Sequence, residues 1–313
     1  MNMPILLAAD EAGMAQATQR LMAGDTVALP TETVYGLAAR ADSAQAVASI
    51  YRAKGRPDFN PLIVHVADVA AAQALAEMDE RALTLARAFW PGPLTMVLPR
   101  KPGAALAEAV TAGLSTVALR CPSHPVMRAL LERSGLALAA PSANRSGGVS
   151  PTEAWHVAQS LAGRIGLVID GGRCDQGLES TILALRAGAG WQILRPGPIT
   201  QQQIEAVLGE VPTAAQEDAG IEAPGQMTSH YAPGKPVRLN GSTAHDDEFH
   251  IGFGPVAGDV SLSPTGDLAE AAANLYAALH ASAASPRPRV VVAPIPHEGI
   301  GAAINDRLSR AAA

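Results

Sequence analysis

The residues best suited to chemistry in this chain are cations and hydroxyls gathered where apolar runs end. Lys54 and Arg56 stand together in AKGRP, where the helical recurrence of Ala46, Val47, Ile50 and Tyr51 is stopped by Gly55 and Pro57. Two cations there could simply complement a helix C-terminus, worth about 0.3–1 kcal/mol. However, Thr31, Glu32 and Thr33 leave the apolar run 27–29 as a polar loop after Pro30. Hydroxyls beside two cations suit an anion better than a bare helix end does. A second block, LALAAPSANRSGGVSPT, repeats the layout: an apolar run stopped by Pro141, then Ser142, Asn144, Ser146, Gly147, Gly148 and Ser150. Such a loop offers backbone and hydroxyl donors to an anion, although composition alone fits a capped turn equally well. Arg120 closes the apolar run 116–119 and needs a carboxylate partner, from the protein or from a ligand. His65, in LIVHV, reads first as a core histidine. Glu179-Ser180-Thr181 and Arg195-Pro196-Gly197 again put polar groups at strand ends, where open α/β sheets bind ligands.

Several catalytic devices are missing from the sequence. It has no GxxxxGK[ST] loop, no GxSxG elbow, no HExxH and no Cys/His cluster, and GIGAA at 299–303 lacks the third glycine of a dinucleotide fingerprint. Many phosphate-suited donors beside few bases favour a ligation driven by positioning and charge neutralisation.

The elements that must position these groups alternate along the chain. Helices are expected at 11–23, 43–54, 69–76, 79–89, 124–134, 152–161 and 200–208, and strands at 26–29, 61–66, 94–98, 115–120, 136–140, 166–169, 180–185 and 191–195. Some strands are adjacent, so the α/β sheet should be mixed rather than wholly parallel. A connector over 209–233 lacks periodicity. Strands near 236–239, 249–253 and 289–293, with helices near 267–283 and 299–311, then predict a smaller α/β unit. The domains are therefore expected at 1–208 and 234–313, with 209–233 as a linker or lid.

Size and charge agree with this plan. At 313 residues the chain exceeds the roughly 150 residues of an average domain, and its 48% hydrophobic, aromatic-poor composition points to small-residue packing. Residues 1–206 balance 17 cations against 17 anions, so the net charge of −6 belongs to the remainder. That balance disfavours a broad nucleic-acid surface. Two distant cysteines suggest no disulfide framework, and no apolar run reaches about eighteen residues, so a soluble, unprocessed, cytoplasmic protein without membrane contact is expected.

Seven blocks in order, PTETVYGL, AKGRPDFNPLIVHV, FWPGPLTMVLP, STVALRCPSHP, APSANRSGGVSPT, GLESTI and ILRPGPIT, resemble the L-threonylcarbamoyladenylate synthase family with its YrdC-like domain. APGQMTSHYAP and GIGAAINDRLSRAA further resemble the longer form with an extra C-terminal domain. The resemblance implies a YrdC-like open twisted sheet and an enzyme that joins L-threonine, bicarbonate and ATP into an adenylate plus pyrophosphate. The product would pass to downstream threonylcarbamoyl transferase machinery acting on tRNA. It implies that Thr31, His65, Arg120 and Ser180 hold threonine, and that Lys54, Arg56, Ser142 and Asn144 face the phosphates and serve catalysis. Thr116, Ser150 and Arg195 would complete the ATP site, Tyr231 would close over it, and Mg²⁺ would accompany the phosphates. A chain ending near Gly209 should then fold yet lose the adenylate faster. The sequence departs from the family in GQMTSHYAP, where many relatives are more basic, in GLEST for GVEST, and in Asp306, where asparagine is commoner. Two readings compete: an RNA-binding or ribosome-maturation protein without catalysis, and a carbamoyl-transferring enzyme using another acceptor.

Overall fold

The computed structural model describes residues 2–186, 190–213, 222–226 and 230–313. In chain order the elements begin β1 (Ile5–Ala8), α1 (Glu11–Ala23), β2 (Val27–Leu29), β3 (Gly36–Arg40), α2 (Ala44–Lys54), β4 (Ile63–His65), α3 (Val69–Leu75) and α4 (Glu80–Phe89). They continue as β5 (Leu94–Pro99), α5 (Glu108–Thr111), β6 (Thr116–Arg120), α6 (Pro125–Ser134), β7 (Leu138–Ala139), α7 (Ala154–Ser160), β8 (Leu167–Asp170), β9 (Thr181–Leu185), β10 (Trp191–Arg195) and α8 (Gln201–Leu208). The C-terminal domain contains β11 (Val237–Arg238), β12 (Glu248–Gly252), β13 (Val260–Ser261), α9 (Leu268–Ala284), β14 (Arg289–Val292) and α10 (Gly301–Ala311).

The first ten strands form one sheet, ordered β1-β8-β2-β3-β7-β4-β6-β5-β9-β10. It is mixed, as expected: β4 runs parallel to β6 but antiparallel to β7, and β5 runs antiparallel to β6 but parallel to β9. A separate four-stranded sheet, β11-β14-β12-β13, is parallel throughout. Local chemistry explains the pivotal helix α2. Ser43 caps its first turn by accepting from the Ala46 amide, and Gly55 ends it in the left-handed region at φ 61°.

Three strands were not legible in the sequence: β1, β3 and the two-residue β13. Gly36–Arg40 begins on glycine and has alanines at two of its three inner positions, with low strand propensity, yet β2 and β7 flank it and hold it in the sheet. β1 lies at the sheet's edge with three of its four residues exposed, so it has no buried alternation to reveal it. The strand expected over 136–140 shrinks to Leu138–Ala139 before Pro141, although the Ala140 amide still donates to the Ile63 carbonyl.

Most of the core lies between the large sheet and its helices. A second apolar cluster does not stop at the C-terminal domain: Val34, Val149, Leu178 and Tyr231 pack into the same cluster as Ile251, Leu275, Tyr276 and Leu308. A third, smaller cluster lies on one sheet face, where Ala223 covers Ile63, Val97, Ala118, Ile182 and Ala184.

Candidate active site

Strand ends from the middle of the large sheet and from its β10 edge converge on one cavity. β4 contributes Ile63 and His65, β6 contributes Arg120, and β10 contributes Arg195. Thr31, Thr33 and Ser142 arrive on loops, Ser180 stands just before β9, and Pro224, Gly225, His230 and Tyr231 close the remaining side. The free volume is only about 50 Å³. A nucleotide needs several times that, since ligand pockets run to about 300–1,000 Å³. The cavity as it stands is therefore too small for a nucleotide.

The loop after β2 is built by its own hydroxyls. Thr31 Oγ1 donates to the Val34 carbonyl at 2.7 Å and lies 2.8 Å from Thr33 Oγ1, while the amides of Thr33 and Val34 point back at Thr31. Thr33 in turn accepts from Arg120 Nη1 at 2.9 Å. The partner that the sequence left open for Arg120 is Glu32, 2.7 Å away as a buried ion pair without aligned hydrogen-bond geometry. Burial would raise the Glu32 carboxyl, but Arg120 and the Ser123 amide hold it below its ordinary range. His65, beside Arg120, is pushed down to about 3 by burial and then by the arginine's charge, so it is neutral at physiological pH. Its Nδ1 has no hydrogen-bond partner.

On the other side the cations are arranged differently from the sequence expectation. Arg56 borders the cavity, its Nε and Nη2 held by the carbonyls of Asn60 and Pro61. Lys54 does not border it. Its Nζ donates to the carbonyls of Ser142 and Asn144, at 2.5 and 2.7 Å, and burial lowers its pKa well below the usual lysine range. Lys54 therefore ties the hydroxyl loop to the end of α2 from behind. Asn144 is also turned inward, donating to the carbonyls of Arg145 and Gly148.

Ser180 and Arg195 form a pair: the arginine donates to the serine carbonyl at 2.9 Å and to its hydroxyl at 3.1 Å. Thr95 Oγ1 lies 2.7 Å from that hydroxyl. Ser150 is one layer back and donates to Glu179 at 2.6 Å. Thr116 is the one predicted site residue at the far end of its strand. It shares a sheet face with Ala118 and Arg120 but does not line the cavity.

Thr33 and Glu179 line the wall and Glu32 lies just behind it; the sequence named all three only as parts of polar blocks at strand ends and gave them no role. Tyr276 and Arg307 reach Glu179 from the C-terminal domain, at 2.6 and 2.9 Å, and no local pattern marks contacts so distant in sequence. Asp306, whose role the sequence did not disclose, accepts from Arg307 and Arg310. Burial would raise the Glu179 carboxyl, yet Arg307, Arg195, Ser150 and Tyr276 hold it at about 2.

Two family models match the chain. The Sua5/YciO/YrdC model, described as "Telomere recombination", matches residues 19–197, and a model described as "Threonylcarbamoyl-AMP synthase, C-terminal domain" matches residues 199–313. This chain belongs to the Sua5/YciO/YrdC family. It is 42% identical to a threonylcarbamoyl-AMP synthase of Bacillus subtilis, over 98% of this chain and 94% of that one. A threonylcarbamoyl-AMP synthase of Pyrococcus abyssi is 46% identical over 68% of this chain and 64% of its own length. Among solved structures, P. abyssi Sua5 complexed with L-threonine superposes with a TM-score of 0.87 at 35% identity, covering all of this chain and 97% of the other. Family membership thus extends across both sheets. No helix among the described residues is long and apolar enough to cross a membrane.

Proposed function

We propose that this chain is a threonylcarbamoyl-AMP synthase, condensing L-threonine, bicarbonate and ATP into L-threonylcarbamoyladenylate and pyrophosphate. The observation that carries this reading is the set of buried polar atoms left without hydrogen-bond partners around one cavity: His65 Nδ1, His230 Nδ1 and, just behind, Asn144 Oδ1. Buried polar atoms are costly unless paired, and their concentration marks where a polar ligand binds.

The wall supplies no activated nucleophile, because Ser180 is committed to Thr95 and Arg195 and the nearest carboxylates are held by arginines. The attacking group then comes from the substrates. The threonine amine adds to the carbon of bicarbonate, water leaves, and an oxygen of the resulting carbamate attacks the α-phosphorus as pyrophosphate departs. Thr31, His65, Arg120 and Ser180 would hold the amino acid. Neutral His65 suits an uncharged hydrogen bond to it. Arg56, Arg195 and the loop of Ser142 and Asn144 would face the phosphates, with Lys54 setting that loop's position and Ser150 holding Glu179 behind the wall. Thr116 shares its sheet face with Ala118, part of the apolar patch that Ala223 covers, and a nucleotide base would lie on that patch once residues 222–226 move.

The family implies Mg²⁺, but the donors here do not fit a protein-held ion. No group of three His, Cys, Asp or Glu side chains among the described residues could hold a metal, and Glu179 is already committed. Mg²⁺ would rely on phosphate oxygens and water. We assign residues 1–208 to catalysis, 209–233 to a lid and 234–313 to the C-terminal domain; within the lid, 214–221 and 227–229 lie outside the described residues. The adenylate would be consumed by a threonylcarbamoyl transferase acting on tRNA, in the cytoplasm.

Purified protein given L-threonine, bicarbonate and ATP with Mg²⁺ should release pyrophosphate and form the adenylate. Pyrophosphate no higher than in a control without threonine would overturn the reading. Tight, salt-sensitive tRNA binding without that chemistry would favour the RNA-binding alternative.

A further inference from the structure

The link between the two domains passes through the cavity wall. Arg307, on α10, is fully buried, and all three of its guanidinium nitrogens are occupied. Nε donates to Glu179 Oε2 at 2.9 Å, Nη2 to the Pro196 carbonyl at 2.9 Å and Nη1 to Asp306 at 2.5 Å. Glu179 borders the cavity and precedes Ser180. Its remaining side-chain partners are Ser150 and the Tyr276 hydroxyl of α9, each at 2.6 Å. Two of its three partners therefore come from the C-terminal domain. A carboxylate this deep is tenable only while such partners remain in place.

The same arginine touches the residue that closes the cavity. Its guanidinium carbon lies 5.3 Å from the centre of the Tyr231 ring, which also stacks on Tyr276 at 5.6 Å. Tyr231 adopts φ 65°, a left-handed conformation that a bulky side chain takes only when its surroundings enforce it. The enforcing contacts are visible: the His230 amide donates to the Arg310 carbonyl of α10, and the Ala232 amide donates to the Gly147 carbonyl of the hydroxyl loop. Helix α10 thus holds both the wall and its cover.

We propose that Arg307 is a positioning residue of the active site: it fixes the Glu179 carboxylate behind Ser180 and seats Tyr231 over the cavity, making the C-terminal domain part of the catalytic wall. The proposal rests on the synthase reading for its substrates. It gives the second domain a role that stability or partner docking alone would not require. Without Arg307, Glu179 would keep two hydroxyl donors and the nearby charge of Arg195 but lose the cation bonded to it, so it would take up a proton closer to neutrality. Ser180 and Arg195, next along the wall, would lose their register.

The test uses the intact chain as wild type, Arg307→Met, Arg307→Lys and Tyr276→Phe. The readouts are threonine-dependent pyrophosphate release from about pH 5.5 to about pH 9, and amide hydrogen exchange of the segment 230–233. Arg307→Met should lower kcat/KM at least about tenfold near pH 7, with an acid limb moved upward so that activity partly returns near pH 9. Arg307→Lys, which restores the cation, should return the acid limb towards its wild-type position, and Tyr276→Phe should move it slightly upward. Exchange at 230–233 should quicken in Arg307→Met. A folded Arg307→Met with wild-type kcat/KM, pH profile and exchange would overturn the proposal, because a purely structural arginine would alter the denaturation midpoint alone. Should that variant fail to fold, an unmoved acid limb in Tyr276→Phe overturns it equally. Lack of pyrophosphate release by the wild type would count against the synthase reading alone. The exchange measurement then decides for Arg307, with unchanged protection in Arg307→Met, or in Tyr276→Phe if only that variant folds, counting against it.

Discussion

Lys54 and Arg56 are two residues apart, yet they do different work, and the difference is measurable. Lys54 satisfies two buried carbonyls on the loop that follows β7. Removing it leaves those acceptors unpaired, at about 1–3 kcal/mol each. Arg56 keeps two nitrogens on carbonyls at the end of its own loop while it borders the cavity. Lys54→Met should therefore lower stability by about 2–4 kcal/mol and weaken ATP use as a consequence of the loosened loop. Arg56→Lys retains a charge but loses the planar fork that reaches the Asn60 and Pro61 carbonyls, so it should raise the ATP KM about tenfold and cost about 1–2 kcal/mol of stability, less than Lys54→Met. Denaturant midpoints measured beside KM values separate the two. Equal midpoints for wild type and Lys54→Met would return Lys54 to a direct phosphate role.

At the scale of elements, the segment 222–226 and residues 230–232 are clamped between α10, the hydroxyl loop and Arg195. Gly225 makes the closest approach. At φ 89°, a Cβ there would lie 2.7 Å from Arg195 Cδ and 3.3 Å from the Tyr231 hydroxyl. Gly225→Ala should lift the segment off Arg195, so a larger share of the adenylate escapes before it can be recovered bound to the protein. The check is a single turnover followed by rapid filtration, and equal retention in the variant would contradict a lid. A chain ending near Gly209 is a poorer test than the sequence suggested, since it also removes Tyr276 and Arg307 and strands the Glu179 carboxylate. Most elements around the cavity were legible because their signals are local: Ser43 and Gly55 delimit α2, and Pro141 ends the strand run before Ser142. β3 was hidden because its alanines and glycine carry no pattern, and the inward turn of Lys54 was hidden because spacing fixes a residue's place on a helix but not its acceptor. Arg307 was hidden for a third reason. Its partners lie in a different domain, and only the assembled interface brings them together.

Across the whole molecule the two domains meet at a second polar contact that ties folding to pH. His156 of α7 stacks on His280 of α9 with ring centres 3.8 Å apart, nearly parallel, and His280 Nε2 lies 3.1 Å from the Ser150 carbonyl. Burial, then His280 and Arg173, push His156 down to about 3; burial likewise lowers His280, against Glu153 and the Ser150 carbonyl. His65 and His230 are each held at about 3 by burial as well. In the unfolded chain these groups titrate near about 6.5. Between about pH 6.5 and about pH 3 the unfolded chain therefore binds protons that the folded chain refuses, and stability falls as pH falls. One such histidine loses about 2 kcal/mol at about pH 5, so three together rival the 5–15 kcal/mol by which ordinary domains are stable. Glu179 runs on a lower window, because its depressed carboxyl contributes fully above about pH 4.5 and is lost only as pH falls from there towards about 2. Acid sensitivity just below neutrality thus belongs to the histidines. His156→Phe removes the ring's titration but also the acceptor for the Thr152 amide, so it should cost stability near pH 7.5 while shrinking the loss between about pH 7.5 and about pH 5 by about 2 kcal/mol. Urea midpoints at the two pH values, for wild type and variant, give that difference directly, and an identical acid loss in both proteins would show that the stacked pair does not couple the domains to pH.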